Sequence, residues 1–171
     1  MIKDSFFEYK AYLFDLDGLL FQTSELWRSG MKQVFSTYGF DITLEEAKST
    51  KGMSQPEIIQ HWLYSNKFEL DKIRDPKLFV SEVDNQVSML VANSMNHSKI
   101  KSGALEIVRH LSDSGKKIAL VTSSPRSVAL KAQAILDVEF DTVISNSDVT
   151  FSKPHPEPYL MACSHLGVDP N

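Results

Sequence analysis

Asp15 and Asp17 stand one residue apart, after the apolar run Ala11-Tyr12-Leu13-Phe14 and directly before Gly18. Much later, Thr122-Ser123-Ser124 closes a second apolar run, Lys117-Ile118-Ala119-Leu120-Val121. Lys153-Pro154-His155-Pro156 follows a third, Asp141-Thr142-Val143-Ile144-Ser145. Carboxylates, hydroxyls and an ammonium suit phosphoryl transfer, where catalysis is mostly positioning and charge stabilisation. An aspartate can take a phosphoryl group covalently. A second carboxylate nearby can protonate the leaving oxygen and then activate water. Amides and hydroxyls opening the next helix favour an anion.

Each feature also has a plainer alternative. A calcium loop counted from Asp15 fails, because its sixth and twelfth positions are Leu20 and Leu26 rather than Gly and Glu. Two solvated aspartates at a turn remain open for the pair alone. Thr122-Ser123-Ser124 reads equally as a capping cluster before Pro125. Lys153 alone is an ordinary surface lysine, and His155, between two prolines, a turn residue. His61, His97, His110 and His165 have no metal-ligand spacing. Trp27 and Trp62 compete as packing residues with any stacking role. What favours chemistry is that all three polar sites fall at the ends of predicted strands, in order.

Those strands must position the site. Four apolar or aromatic residues running into Asp15 suit a buried parallel strand, Tyr9 to Leu16. Side chains two apart on a strand point the same way, so both carboxylates can reach one space. Chemistry in such sheets sits beyond the carboxyl ends of the strands. Apolar spacing predicts helices over Thr23 to Tyr38, from Thr43 through Lys48, from Ser54 onward and from Asp75 to about Met95. Thr43…Glu46 and Ser54…Glu57 have capping-box form. Leu19 to Ser98 therefore reads as helical, with no strand signal. Beyond it come a helix over Ser102 to Ser114, the Lys117–Thr122 strand, a helix with Pro125 at its first position through Leu136, the third strand, and a helix over Pro156 to Leu166. Strand–helix alternation implies a doubly wound parallel sheet interrupted after its first strand by an all-α insertion.

The 171 residues, 42% hydrophobic and 23% charged, fit one soluble domain with an insertion. A net charge of −4 with no Lys/Arg block gives no electrostatic footprint for nucleic acid. The single cysteine, Cys163, excludes a disulfide framework. No signal-peptide h-region or membrane-spanning run is present. The expected compartment is the cytoplasm.

Asp15-Leu16-Asp17-Gly18-Leu19-Leu20, the strand ending at Thr122, and Lys153-Pro154-His155-Pro156-Glu157-Pro158-Tyr159 together resemble three ordered motifs of the haloacid-dehalogenase superfamily. The helical insertion is similar to that superfamily's C1 cap. With Thr23-Ser24-Glu25-Leu26-Trp27 and Ser123-Ser124-Pro125, the chain looks closest to the sugar phosphatases of the hexitol phosphatase and 2-deoxyglucose-6-phosphate phosphatase group. β-Phosphoglucomutase is a close cousin. The resemblance implies a Rossmann-like α/β core over 1–18 and 99–171, with a helical cap over 19–98. It implies that Asp15 is the nucleophile and Asp17 the acid and then base. Thr122 and the Ser123 amide would bind the phosphoryl group, with Gly18 and Ser124 beside them, and Lys153 would balance charge. Asp15 and the backbone carbonyl of Asp17 would hold Mg²⁺. Lys51, Gly52, Met53, Ser54 and Gln55, with Trp27, would contact the substrate. Gln55 stands where the mutase carries a phosphate-gripping arginine, which favours a phosphatase.

The resemblance also implies a fourth motif, a further strand with an acidic pair completing the magnesium site, and the sequence reaches Asn171 before it. A fragment of a longer enzyme, impaired or inactive as these 171 residues, is the expectation. The expected activity is Mg²⁺-dependent hydrolysis of a small sugar or polyol phosphate. A non-catalytic binding protein on the same fold, a phosphoacceptor domain and a phosphomutase are the alternatives. The expected partner is a small phosphorylated metabolite, with no nucleic acid or membrane.

Overall fold

The computed structural model describes residues 9–50, 53, 55–65 and 73–170. Their contacts divide the chain into two compact units, Met1–Ser24 with Met95–Asn171, and Glu25–Ser94.

The first unit holds a parallel sheet in the order β1 (Ala11–Phe14), β2 (Lys117–Val121), β3 (Thr142–Ile144). Tyr12 pairs with Ile118, and Leu120 with Val143. β2 lies in the middle, and its residues from Ile118 to Val121 are all buried. That is why it reads as an unbroken apolar run rather than an alternating one. Helices α5 (Ala104–Asp113), α6 (Arg126–Leu136) and α7 (Glu157–Leu166) connect or follow the strands. Ala119, Val121 and Ile144 pack with Ala162 and Leu166 of α7 in one cluster. Short 3₁₀ turns lie at Met95–His97 and Asn146–Asp148. Because the strands are parallel, their carboxyl ends lie side by side.

Three expectations are corrected here. β1 is shorter than Tyr9 to Leu16 because the chain turns beyond Phe14: the Leu16 carbonyl accepts from both Leu20 and Phe21 amides. Gly18 makes that turn at φ +81°, a conformation that costs a residue with a Cβ. The stretch after Leu19 is also not wholly helical. Phe21 bridges Asp17 and Ile100, and Gln22 N–H donates to the Lys99 carbonyl. Leu20 and Phe21 are almost fully buried, but the ladder is too short to show a strand period in sequence. Finally, Pro125 precedes α6 in an extended conformation (φ −58°, ψ 151°) instead of opening the helix. A fixed φ near −65° serves both conformations.

Among the described residues of the second unit the regular elements are helices: α1 (Ser24–Thr37), α2 (Leu44–Ser49), α3 (Gln55–Leu63) and α4 (Pro76–Ser94). The Thr43–Glu46 capping box forms in full. The Ser54 half of the other box lies outside the described residues; Pro56 is the second residue of α3. Phe35 and Trp62 meet edge to face at 5.1 Å, and Phe35 and Phe40 at 5.7 Å. Gly30 of α1 faces α4, where a Cβ would meet the Val87 and Val91 side chains at 3.4 Å.

Candidate active site

The carboxyl end of β1 delivers Asp15 directly to Lys153. Lys153 Nζ donates to Asp15 Oδ1 at 2.5 Å and to the Val121 carbonyl at 3.1 Å. It also stands 5.7 Å from the centre of the Tyr159 ring. The lysine is mostly buried and the aspartate more exposed, at 17% and 38% of their side chains. An ammonium in that position is far from the ordinary surface lysine. The other Asp15 oxygen has no hydrogen-bond partner among the described residues.

The loop carrying Lys153 is held by Glu157, the first residue of α7. Its two carboxylate oxygens accept the Thr150 and Phe151 amides at 2.8 and 2.9 Å. The Glu157 amide in turn donates to His155 Nδ1 at 3.2 Å. His155 is thus a turn residue, as one reading of its prolines has it. The Lys153–Pro154 peptide bond is cis.

Asp17 sits on the same strand end, but its partners differ. Oδ1 accepts the Thr23 hydroxyl at 2.6 Å, and Oδ2 accepts the Ser124 hydroxyl at 2.5 Å. The Thr122 hydroxyl donates to Oδ2 at 3.3 Å while accepting the Ser124 amide at 3.0 Å. All three hydroxyl residues are buried, at 1%, 2% and 6% exposure for Thr23, Thr122 and Ser124. Ser124 therefore reaches the second aspartate, and Ser123 is exposed. Thr23 is the residue that sequence reasoning left without a part. A hydroxyl six positions after Asp17 was visible; the turn that brings it back was not.

Asp148, after β3, holds this end of the sheet to α6. Its carboxylate accepts from Arg126 Nη1 at 3.1 Å and from the Ser145 amide at 2.8 Å. Partial burial works to raise its pKa, but the Ser145 bonds and the Arg126 guanidinium outweigh it and hold the group below its ordinary value.

Asp15, Asp17, Thr122, Ser124 and Lys153 thus gather in one place within the first unit, with Gly18 at the turn between them. Of the expected substrate loop, Lys51, Gly52 and Ser54 lie outside the described residues. Met53 is 40% exposed, and Trp27 is half-buried. The Gln55 side-chain amide donates to the Asp84 carbonyl on α4. An open groove of about 500 Å³ on the helical unit, lined by Met53, Glu57, Gln60, His61, Tyr64 and Ser65, holds none of the strand-end residues. Among the described residues, no three His, Cys, Asp or Glu side chains gather as a metal cluster. No helix among them is long and apolar enough to cross a membrane.

A parallel α/β sheet with carboxylates, hydroxyls and an ammonium at adjacent strand ends defines the class of protein. The model of the haloacid dehalogenase-like hydrolases matches residues 12–171, and the chain belongs to that family. It is 26% identical over 163 residues to hexitol phosphatase B of Escherichia coli, covering 94% of this chain and 71% of that protein. It is 29% identical over 165 residues to pyrophosphatase PpaX of Bacillus pumilus, covering 93% and 69%. Among solved structures, CbbY of Rhodobacter sphaeroides in complex with phosphate superposes with a TM-score of 0.80 at 20% identity, covering 94% of this chain and 74% of that one.

Proposed function

We propose that this hydrolase is a phosphomonoesterase for a small sugar or polyol phosphate, working through an aspartyl-phosphate on Asp15. The observation that carries the reading is the pairing of Asp15 with Lys153 beside an Asp17 held by three hydroxyls. Asp15 attacks phosphorus, and the ester P–O bond breaks. Asp17, protonated for this step, gives its proton to the leaving alkoxide. Asp17 then takes a proton from the water that attacks the phospho-aspartate, which releases phosphate and restores Asp15. Lys153 offsets negative charge on Asp15 and the phosphoryl group. Thr122 and the Ser123 amide hold phosphoryl oxygens.

The donor set fits Mg²⁺. The Asp15 carboxylate and the Asp17 backbone carbonyl would hold it as oxygen ligands, and Mg²⁺ is commonly held by one or two carboxylates together with water and substrate phosphate. When bound, the ion would neutralise phosphate charge. The helical segment, 19–98, is assigned as the inserted cap and 1–18 with 99–171 as the core. The compartment we infer is the cytoplasm.

Gln55 supports a hydrolase over a phosphomutase, because it is neutral and its amide is already spent on α4. The relatives named as pyrophosphatases make inorganic pyrophosphate the competing substrate. The test is hydrolysis of p-nitrophenyl phosphate, a hexitol monophosphate and pyrophosphate with Mg²⁺. Turnover that falls about 10³-fold or more in Asp15→Asn is the expected result for loss of a nucleophile. Turnover that survives Asp15→Asn overturns the reading.

A further inference from the structure

His155 makes one bond that its charge decides. Nδ1 accepts the Glu157 amide at 3.2 Å. A backbone amide only donates, so Nδ1 carries its lone pair, and the ring is neutral with its proton on Nε2. That amide belongs to the first residue of α7, where the helix offers it no carbonyl of its own. The His155 amide donates to the Ser152 carbonyl at 3.0 Å, and the ring lies against Phe151 with centroids 4.9 Å apart.

These contacts belong to the loop that carries Lys153. Neutral His155 and Glu157 divide the donors between them. The ring takes the Glu157 amide, which leaves both carboxylate oxygens to the Thr150 and Phe151 amides. Glu157 Oε2 stands 3.9 Å from Nδ1, too far for a hydrogen bond.

Protonation reverses this arrangement. Nδ1 becomes a donor and meets the Glu157 N–H donor to donor. The positive end of the helix dipole opposes a cation in the same place. Glu157 Oε2 is then the acceptor beside Nδ1, and turning to it draws the carboxylate off the Phe151 amide. Among the described residues, Glu157 on α7 is the charged group that meets the ring. Lys153, two positions earlier, is directed at Asp15 and the Val121 carbonyl. The His155 side chain is 49% exposed, so protons reach it from solvent. Imidazole is the side chain that changes charge between about pH 5 and 8.

We propose that His155 is a positioning residue for Lys153: the neutral ring holds the loop in its working form, and the protonated ring releases it. The release itself stands on the geometry of the loop. Its effect on turnover rests on the phosphomonoesterase reading above, in which Lys153 offsets charge.

The experiment measures kcat/KM for p-nitrophenyl phosphate with Mg²⁺ from about pH 8 to about pH 5 in the wild type, His155→Asn and His155→Phe. Asparagine keeps an acceptor oxygen and takes up no proton; phenylalanine keeps a ring against Phe151 and loses the acceptor. Relative to His155→Asn, the wild type is expected to lose about tenfold across this range, the scale of a lost positioning contact. Every other titrating group is common to the two proteins, so their ratio isolates His155. His155→Phe is expected to be about tenfold less active than the wild type at the alkaline end. A ratio that does not change with pH, or a His155→Phe as active as the wild type there, overturns the proposal. A wild type that hydrolyses no ester overturns the phosphatase reading instead, and hydrogen exchange then decides the release. Protection factors at Thr150 and Phe151, which remove the intrinsic pH dependence of exchange, should fall in the wild type as pH falls and stay level in His155→Asn. Level protection in the wild type overturns the release.

Discussion

Lys153 Nζ donates to Asp15 Oδ1 at 2.5 Å across 138 positions of sequence. Nothing local forces this contact. It exists because β1 and β3 flank β2 in one parallel sheet and the loop after β3 folds back over the strand ends. Lysine suits this space as a compact point charge, where a guanidinium would need a wider, planar fork of acceptors. Lys153→Ala should lower kcat/KM by about 10²-fold or more, the scale for loss of one charge-stabilising group in a site. Lys153→Arg should not restore it. Steady-state kinetics alongside circular dichroism separate this loss from unfolding.

Glu157 is the second point of control over the same lysine. Its carboxylate accepts the amides of Thr150 and Phe151, so the loop is fixed by the helix it leads into. Glu157→Ala leaves both amides without that acceptor. Hydrogen exchange at Thr150 and Phe151 should accelerate, and turnover should fall by about tenfold through misplacement of Lys153, as expected for a lost positioning contact. Glu157→Gln keeps one acceptor oxygen and should recover part of both. Slow exchange at these amides in Glu157→Ala would refute the tether.

The sequence announces some of these relationships and hides others, for physical reasons. β2 is legible because both of its faces are buried, which leaves no polar residue from Ile118 to Val121. Asp15, Thr122 and Lys153 are legible as a set because strand ends of a parallel sheet must coincide. The bond from Thr23 to Asp17 is not, since it depends on a turn closed by the Leu20 and Phe21 amides donating to the Leu16 carbonyl. Ser124 reads as a cap because serine before Pro125 so often is one, while its hydroxyl in fact serves a carboxylate 107 positions away. Gln55 and Asp84 meet through the packing of α3 on α4, and helical periodicity fixes which face is apolar but not which neighbour it meets.

Asp17 is oriented by hydroxyls on both of its oxygens, and these can be removed one at a time. Thr23→Val is close to isosteric and deletes the bond to Oδ1; Ser124→Ala deletes the bond to Oδ2. Each should lower kcat by about tenfold with little change in KM, because in the proposed reaction the group they orient acts in the chemical step. Both hydroxyls hold one carboxylate, so the double variant should lose less than the product of the two single losses. Thr23→Ser, which keeps the hydroxyl, should retain most of the activity. A KM effect without a kcat effect would assign these hydroxyls to substrate binding instead.

Two carboxylates should pull the pH dependence of stability in opposite directions. Asp148 has its pKa held below the ordinary 3.8, so the folded state favours its charged form. Its contribution is fully present above 3.8 and is lost as pH falls through the lower folded value. Asp84 has its pKa raised above 3.8 by burial, so the folded state favours its neutral form. Stability falls as pH rises from 3.8 through that higher value, and the penalty is complete above it. Asp148→Asn should therefore lower the melting temperature at neutral pH and flatten the acid limb. The effect should shrink in high salt, because Arg126 and Asp148 are 49% and 27% exposed and an exposed pair is screened. Asp84→Asn should raise the melting temperature at neutral pH and leave it unchanged near pH 3, where the carboxyl is protonated in both states. Thermal melts from pH 3 to 8 at low and high salt read both signs at once. A melting temperature lowered by Asp84→Asn at neutral pH would mean that its charge has a stabilising partner.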